Sequence, residues 1–382
     1  MTTHPGGLTA GDHTGMFNGM WLSLLEVVVG LVLLTFGANR LVFGAASLGR
    51  RLGLSSIVIG LTVLATGTSA PEVAVSVQAS LSGRGEVALG NVIGSNIFNV
   101  LVVLGLSALA GALVVKRQLV RLDLPVMLGV AVLPLLLGID GTLSQGEGFL
   151  LLALLVAYVA VLVWSTRGDA ALETPVPALS WGRTAFYLIL GGAGLVMGAN
   201  LLVGGASAIA RSFGVSELVI GLTLVAVGTS LPELATSIVA ARQGERDMAV
   251  GNVVGSNIFN VLAVLGAGAA VAELPVAPGV INFDLPVMIA VTLACVPVFW
   301  TGCRIARTEG AVLVAYYVLY LSYLLLNATS HDLEDDFRFA VVTFVIPLTI
   351  LAAGLAWFSA RGEEEESDCE PDPEPAEEAG PR

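Results

Sequence analysis

Long apolar stretches separated by short polar connections run through most of the chain. A helix needs about 20 residues to cross the hydrocarbon core of a bilayer, and these stretches reach or approach that length. The pattern therefore predicts an all-α polytopic membrane protein with eleven spans. The predicted spans cover residues 20–44, 55–80, 87–110, 122–139, 148–165, 183–209, 216–241, 248–271, 284–302, 310–327 and 338–359.

An internal repeat relates the two halves of the chain at an offset of 161 residues. Residues 60–105 and 221–266 are identical at 28 of 46 positions, without a gap. Each copy contains five predicted spans, and because five is odd, the second copy enters the membrane from the opposite side. The sequence thus predicts ten helices in two inverted five-helix repeats, followed by an eleventh, accessory helix that has no counterpart in the repeat.

These boundaries divide the chain into six predicted segments. They are an extracytoplasmic segment at 1–19, the first repeat at 20–165, a cytoplasmic linker at 166–182, the second repeat at 183–327, the additional helix at 338–359, and a disordered acidic tail at 360–382. Inverted repeats recur in secondary transporters, where the substrate site lies near the membrane midplane at the repeat interface. A duplicated channel is the alternative.

Composition and charge support a membrane location and indicate an orientation. Of the 382 residues, 55% are hydrophobic and 12% are charged, whereas a soluble domain carries about 25% charged residues. If the N-terminus lies outside, eleven basic residues fall in cytoplasmic connections and three on the other side, as the positive-inside rule requires. The single lysine among 17 basic residues indicates a prokaryotic source, and hence its plasma (inner) membrane. The expected partners are inorganic cations and the lipid bilayer, and no nucleic acid is expected; the sequence does not indicate an oligomeric state.

Two acidic residues occupy matching positions in the middle of predicted spans. Glu72 and Glu233 are 161 residues apart, and a charged residue at a helix centre costs about 2.5–3.5 kcal/mol on insertion scales. Pro71 and Pro232 precede them, and proline lacks the N–H that would bond the carbonyl four residues back. We therefore expect a helix break beside each glutamate, with the carboxylates facing a cavity. The alternative is that the glutamates brace a neighbouring helix.

Hydroxyl and amide groups repeat around these glutamates at helical spacing. Thr68 and Thr229 lie one turn before them, and Ser69 and Ser230 lie at the expected breaks; Ser95 with Asn99 and Ser256 with Asn260 share a face in the following span. Such oxygen donors suit sodium, calcium or magnesium. For Asn91, Asn96, Asn252 and Asn257, interhelical hydrogen bonding is an open alternative. Asp123 and Asp284 begin spans, where an acidic residue favours a helix N-terminus, and are left out of the site.

The paired segments ATGTSAPE with GNVIGSNIFN and AVGTSLPE with GNVVGSNIFN resemble the two alpha-repeats of the calcium/cation antiporter superfamily, in its prokaryotic sodium/calcium exchanger type. The resemblance covers about residues 20–327. It implies that Glu72 and Glu233 bind calcium and sodium alternately, and that the hydroxyls above complete the sites with the carbonyls of Ala65 and Ala226. Some relatives carry an aspartate where this chain has Asn99 or Asn260, so potassium dependence and sodium stoichiometry stay open.

The predicted function is exchange of Ca²⁺ for Na⁺ by alternating access at a midplane site. A potassium-dependent or proton-coupled antiporter and a cation channel are the alternatives. An enzyme is not expected, because no histidine lies in a predicted span and HExxH and GxSxG motifs are lacking. No cofactor is expected either, and Ca²⁺ and Na⁺ are the transported ions. In the first and sixth spans, glycines could permit helix sliding or simply close packing; the resemblance implies sliding.

Overall fold

The computed structural model describes residues 10–116, 119–165, 179–215, 226–300 and 304–328, with the backbone alone at 10–19. Nearly all of the described residues are helical, because a backbone in lipid must satisfy its hydrogen bonds within its own segment. The predicted eleventh span, the acidic tail and most of the linker lie outside the described residues.

The helices of the first half are joined by short turns. They are α1 (Ala10–Leu52), α2 (Ser56–Thr68), α3 (Ala70–Leu81), α4 (Gly85–Ala110), α5 (Leu119–Asp140) and α6 (Gln145–Ser165), with short strands β1 (Leu113–Val114) and β2 (Thr142–Leu143).

The second half repeats this order. Its elements are α7 (Trp181–Ser212), α8 (Ala226–Gly228), α9 (Leu231–Arg242), α10 (Arg246–Val271), β3 (Leu274–Pro275), α11 (Leu285–Trp300), β4 (Arg304–Ile305) and α12 (Arg307–Ala328). β1 pairs with β4 and β2 with β3, both antiparallel. Each strand pair therefore ties a loop of one half to a loop of the other.

Seven of the described helices are long and apolar enough to cross a membrane, and the bent pair of α2 and α3 makes an eighth. The seven are α1 from Met20, α4, α5, α6, α7, α10 and α12. The molecule is thus a mostly helical, polytopic membrane protein. α4 and α10 form its centre, with 83% of each apolar window buried, whereas the figure is 22% for α1 and 28% for α7.

Both expected helix breaks are present. α2 and α3 meet at an angle of 45° around Ser69, and Pro71 lies in the first turn of α3. In the second half, Ser230 separates α8 from α9, and Pro232 takes the place of Pro71. Proline is tolerated in a first helical turn, where its missing N–H has no partner to lose, so each proline restarts the helix after the break.

The two long helices α1 and α7 pack backbone to backbone along a seam of six glycines. The seam consists of Gly30, Gly37 and Gly44 on α1 and Gly191, Gly198 and Gly205 on α7, which are repeat mates at the offset of 161. A Cβ on Gly30 would lie 2.6 Å from the backbone nitrogen of Leu202, so no side chain fits there. At the end of the seam, Arg51 Nη1 donates to the Leu179 carbonyl at 2.6 Å.

The two halves pack differently around this pair. α9 contacts both α1 and α7, whereas its repeat mate α3 makes only marginal contact with either. Accordingly, Ala74 and Val75 on α3 are exposed, while their mates Ala235 and Thr236 on α9 are half-buried and buried. The α1–α7 pair therefore closes over the end of the molecule where α9 terminates and stands away from the end where α3 terminates.

Candidate cation-binding site

Glu72 and Glu233 lie in the first turns of α3 and α9, and both are fully buried. The Ser69 hydroxyl, at the break of the first half, donates to Glu233 Oε1 at 3.2 Å. The hydroxyls of Thr229 and Ser230, at the break of the second half, face the Glu72 carboxylate. Each glutamate therefore faces the helix break of the other half, so the two carboxylates define one candidate site between the repeats.

Several buried oxygen atoms of the two glutamates and of the other predicted ligands have no hydrogen-bond partner in the described parts of the chain. They include both carboxylate oxygens of Glu72, Oε2 of Glu233, the hydroxyls of Ser95, Ser230 and Ser256, and Oδ1 of Asn99 and Asn260. A buried polar group without a partner costs free energy, and native proteins leave few of them. A hard cation would satisfy this set, because Na⁺ and Ca²⁺ take carboxylate, hydroxyl and carbonyl oxygens.

The remaining predicted ligands already make backbone contacts. The Thr68 hydroxyl donates to the Leu64 carbonyl at 3.0 Å. The Ala65 carbonyl accepts the Ser69 N–H at 3.0 Å, whereas in the second half the Ser230 N–H bonds Val227 at 3.1 Å rather than Ala226. A carbonyl has two lone pairs, and the Ala65 carbonyl also faces the Thr68 hydroxyl at 3.5 Å, a distance at which a hydrogen bond is weak.

Four asparagines make interhelical hydrogen bonds, the alternative left open for them by the sequence. Asn91 on α4 donates to Ser76 Oγ on α3 at 3.1 Å, and Asn252 on α10 donates to Ser237 Oγ on α9 at 2.9 Å. Asn96 and Asn257 each donate to the other's backbone carbonyl, at 3.4 and 3.5 Å. The first two bonds hold the glutamate-bearing helices against α4 and α10, and the other two join α4 to α10.

Asn99 and Asn260 differ in their contacts although they are repeat mates. Each begins a π-helical turn, Asn99–Leu104 and Asn260–Leu265, and such turns are common at functional sites. Asn260 Nδ2 donates to Asn96 Oδ1 at 3.1 Å, whereas neither amide atom of Asn99 has a partner within the described residues.

The site is built from two carboxylates and neutral oxygens. Among the described residues, no three His, Cys, Asp or Glu side chains come together as a metal-binding group. This donor set contrasts with the imidazole and thiolate ligands that transition metals prefer.

A family model described as sodium/calcium exchanger protein matches residues 22–164 and 183–326. The chain belongs to this sodium/calcium exchanger family. It is 38% identical to the inner membrane protein YrbG of Escherichia coli, over 80% of this chain and 97% of that protein. It is 34% identical to the sodium/calcium exchanger MaX1 of Methanosarcina acetivorans, over 79% and 98% of the two chains. A solved structure of the sodium-calcium exchanger NCX_Mj matches with a TM-score of 0.70 at 35% identity, over 79% of this chain and 98% of that one.

Membership of the exchanger family confirms the superfamily inferred from the doubled motif, in its prokaryotic type. The protein is therefore a multi-pass cation antiporter of the sodium/calcium exchanger type, and the family is one of transporters rather than enzymes.

Sequence reasoning overlooked Arg40, a basic residue inside the predicted first span of this exchanger. Its guanidinium lies 4.8 Å from the centre of the Phe36 ring and 5.7 Å from that of Tyr187 on α7. In the described residues it forms no ion pair with a glutamate. An arginine inside an apolar span is rare, and this feature of the sequence could have pointed to it. The cation–π contacts with the two aromatic rings stabilise its charge.

Asp123 makes a contact that its position at the start of a predicted span does not indicate. Its side chain makes no capping bond to α5 and is fully buried. Instead it accepts a hydrogen bond from the Tyr158 hydroxyl on α6 at 3.1 Å. Asp123 therefore joins two helices outside the cation site, and its repeat mate Asp284 is only half-buried.

Proposed function

We propose that this exchanger trades Ca²⁺ for Na⁺ by alternating access at the site between Glu72 and Glu233. The observation that carries the proposal is the reciprocal arrangement of two buried carboxylates, each facing the helix break of the other half. Two ionised glutamates bring a charge of −2, which one Ca²⁺ neutralises, or two Na⁺ together. Because either occupancy satisfies the same oxygens, binding of one ion excludes the other and the two fluxes become coupled.

The proposed ligand set comprises the two glutamates and the surrounding oxygen donors. Its members are Glu72, Glu233, Thr68, Thr229, Ser69, Ser230, Ser95, Ser256, Asn99 and Asn260, with the backbone carbonyls of Ala65 and Ala226. The unpartnered buried oxygens of seven of these residues support the assignment.

The proposed architecture is ten spans in two inverted five-helix repeats, with the residue 338–359 segment as an accessory eleventh helix. We infer that the N-terminus lies outside and the acidic tail in the cytoplasm, from the bias of arginine and lysine between the loops. A prokaryotic inner membrane is the proposed location; the name of the relative YrbG supports it.

In the proposed cycle, α1 and α7 slide together past the rest of the molecule. The glycine seam supports movement as one body, because backbones in direct contact leave no room for independent rotation. With the N-terminus outside, α9 ends at the cytoplasmic side, where α1 and α7 close over it. The arrangement then corresponds to a state that opens toward the outside.

The proposal is tested with the full chain reconstituted in sodium-loaded vesicles. Removing external sodium should drive uptake of labelled calcium, and Glu72→Gln or Glu233→Gln should reduce it by about a hundredfold or more, since breaking a buried charge pairing costs ~3–5 kcal/mol. Glu86→Gln, which alters an exposed carboxylate at the start of α4, is the matched control and should leave uptake unchanged.

The coupling ion is tested by imposing sodium, potassium and proton gradients separately. Uptake driven equally well by a proton gradient without sodium would contradict sodium coupling, and a requirement for potassium on the calcium side would show potassium-dependent exchange. Calcium current without a counter-ion would show a channel instead.

A further inference from the structure

Asn91 joins the two halves of the site in a way that its repeat mate does not. Its Oδ1 lies 3.4 Å from the Thr229 hydroxyl, which donates to it. Its Nδ2 faces the Glu72 carbonyl at 3.4 Å and Ser76 Oγ at 3.1 Å. Asn91 therefore links the helix break of the second half to the glutamate-bearing helix of the first.

This contact orients a proposed ligand without adding one. A hydroxyl that donates its hydrogen to an amide oxygen keeps its lone pairs for other partners. The Thr229 hydroxyl also lies near the Glu72 carboxylate, so its oxygen borders the place where a cation would lie. If the hydroxyl donated to Glu72 instead, it would compete with the cation for the carboxylate.

The equivalent contact is missing in the other half. Asn252 donates to Thr236 and Ser237, at 3.1 and 2.9 Å, but its buried Oδ1 has no partner within the described residues. Its counterpart Thr68 donates to the Leu64 carbonyl of its own helix. Asn252 thus presents a buried, unused acceptor at the position where Asn91 holds Thr229.

The asymmetry follows the packing of the molecule. Asn91 lies on the side of α3, which α1 and α7 leave uncovered, and is half-buried. Asn252 lies on the side of α9, which they cover, and is fully buried. In a transporter of inverted repeats, the oppositely facing state is reached by moving one part against the other around a fixed site. In that state α3 would be covered and α9 uncovered. The contact between Asn91 and Thr229 would then be lost, and the equivalent contact between Asn252 and Thr68 would form.

We propose that Asn91 and Asn252 are positioning residues that act alternately: Asn91 holds the Thr229 hydroxyl in the state described here, and Asn252 holds Thr68 in the oppositely facing state. This inference rests on the proposed alternating-access function. Each hydrogen bond stabilises one state, so removal of either asparagine biases the equilibrium toward the state served by the other.

The test measures the two states with repeat-matched reporters in the purified full chain. Ala74→Cys on α3 and Ala235→Cys on α9 are introduced separately after Cys295, Cys303 and Cys369 are replaced by alanine, and their labelling rates with a hydrophilic maleimide are measured with and without sodium. Asn91→Ala should lower the ratio of the Ala74→Cys rate to the Ala235→Cys rate by about threefold to tenfold, and Asn252→Ala should raise it, as loss of one hydrogen bond predicts.

Opposite signs distinguish positioning from a structural role, because general destabilisation would move both variants in the same direction. Asn91→Ser and Asn252→Ser serve if the alanine variants fail to fold, and should give the same signs. Ser80→Ala, which places on α3 the alanine that α9 carries at position 241, should leave the ratio unchanged.

Shifts of the ratio in the same direction in both asparagine variants, or no shift in either, would overturn the proposal. Sodium-driven calcium uptake by the unmodified protein is measured separately, so loss of the exchange function is distinguished from failure of this inference.

Discussion

The two repeats share the hydrogen bonds that join their central helices but differ in the packing around α3 and α9. Asn91 and Asn252 donate to α3 and α9 respectively, and Asn96 and Asn257 each donate to the other's backbone carbonyl. By contrast, α9 packs against both α1 and α7, whereas α3 makes only marginal contact with either. Equivalent sequences thus take up different surroundings, and the position of the α1–α7 pair, rather than the sequence, distinguishes the two halves.

The largest expected effect comes from disrupting the glycine seam, which both halves use alike. Gly191→Ala should abolish most exchange and lower thermal stability, because its Cβ would overlap the backbone of Leu41 on α1, and overpacking costs about 1–3 kcal/mol or more. Calcium uptake and thermal unfolding in detergent check this outcome.

Gly192→Ala is the matched control on the same helix. A Cβ at Gly192 meets nothing within 4 Å, and alanine favours helix over glycine by about 1 kcal/mol. Equal losses in the two variants would show that close approach of α1 and α7 does not matter.

An intermediate effect is expected at a contact that only one half forms. Gln243 Nε2, just beyond α9, donates to Asn39 Oδ1 on α1 at 2.7 Å. The repeat mate of Gln243 is Ser82, which instead accepts a bond from Gln78. Gln243→Ala should release the covered side and raise the labelling of Ala235→Cys by about threefold to tenfold, the size of one hydrogen bond.

Ser82→Gln tests the same contact in the other half of the molecule. It gives the uncovered half the longer side chain, which could reach Asn200, the mate of Asn39, in the oppositely facing state, and it should shift labelling in the same direction as Gln243→Ala. An unchanged rate in both variants would show that these side chains do not bias the two states.

The smallest effect is expected at the Asp123–Tyr158 pair. Tyr158→Phe should reduce the free energy of unfolding by about 1 kcal/mol and leave exchange intact, because the pair lies outside the ion site. The repeat mate of Tyr158 is Leu319, so Asp284→Asn should change stability less than Asp123→Asn. Unfolding in detergent measures these differences, and loss of exchange in Tyr158→Phe would contradict the assignment.

Much of this molecule could be predicted from its sequence. Long apolar runs determine most of the helices, and Pro71 and Pro232 determine where two of them break. The doubled motif led to Glu72 and Glu233, because a charge inside an apolar span is rare.

The remaining features depend on contacts that no local pattern specifies. Tyr158 lies 35 residues from Asp123 and gives no sign of its partner in the sequence. The nearly identical motifs GNVIGSNIFN and GNVVGSNIFN predict similar surroundings, yet Asn99 and Asn260 have different contacts because the two halves pack differently. Such asymmetry is a property of the conformation rather than of the sequence.

The lengths of α1 and α7 carry a consequence for the membrane itself. The apolar span of α1 has 33 residues and that of α7 has 32, which correspond to about 50 Å of helix, against a hydrocarbon core of about 30 Å. Such hydrophobic mismatch is relieved by tilting or by local thickening of the bilayer. Bilayer thickness therefore contributes directly to the energy of the α1–α7 pair, whereas α4 and α10, whose apolar windows are 83% buried, are shielded from the lipid.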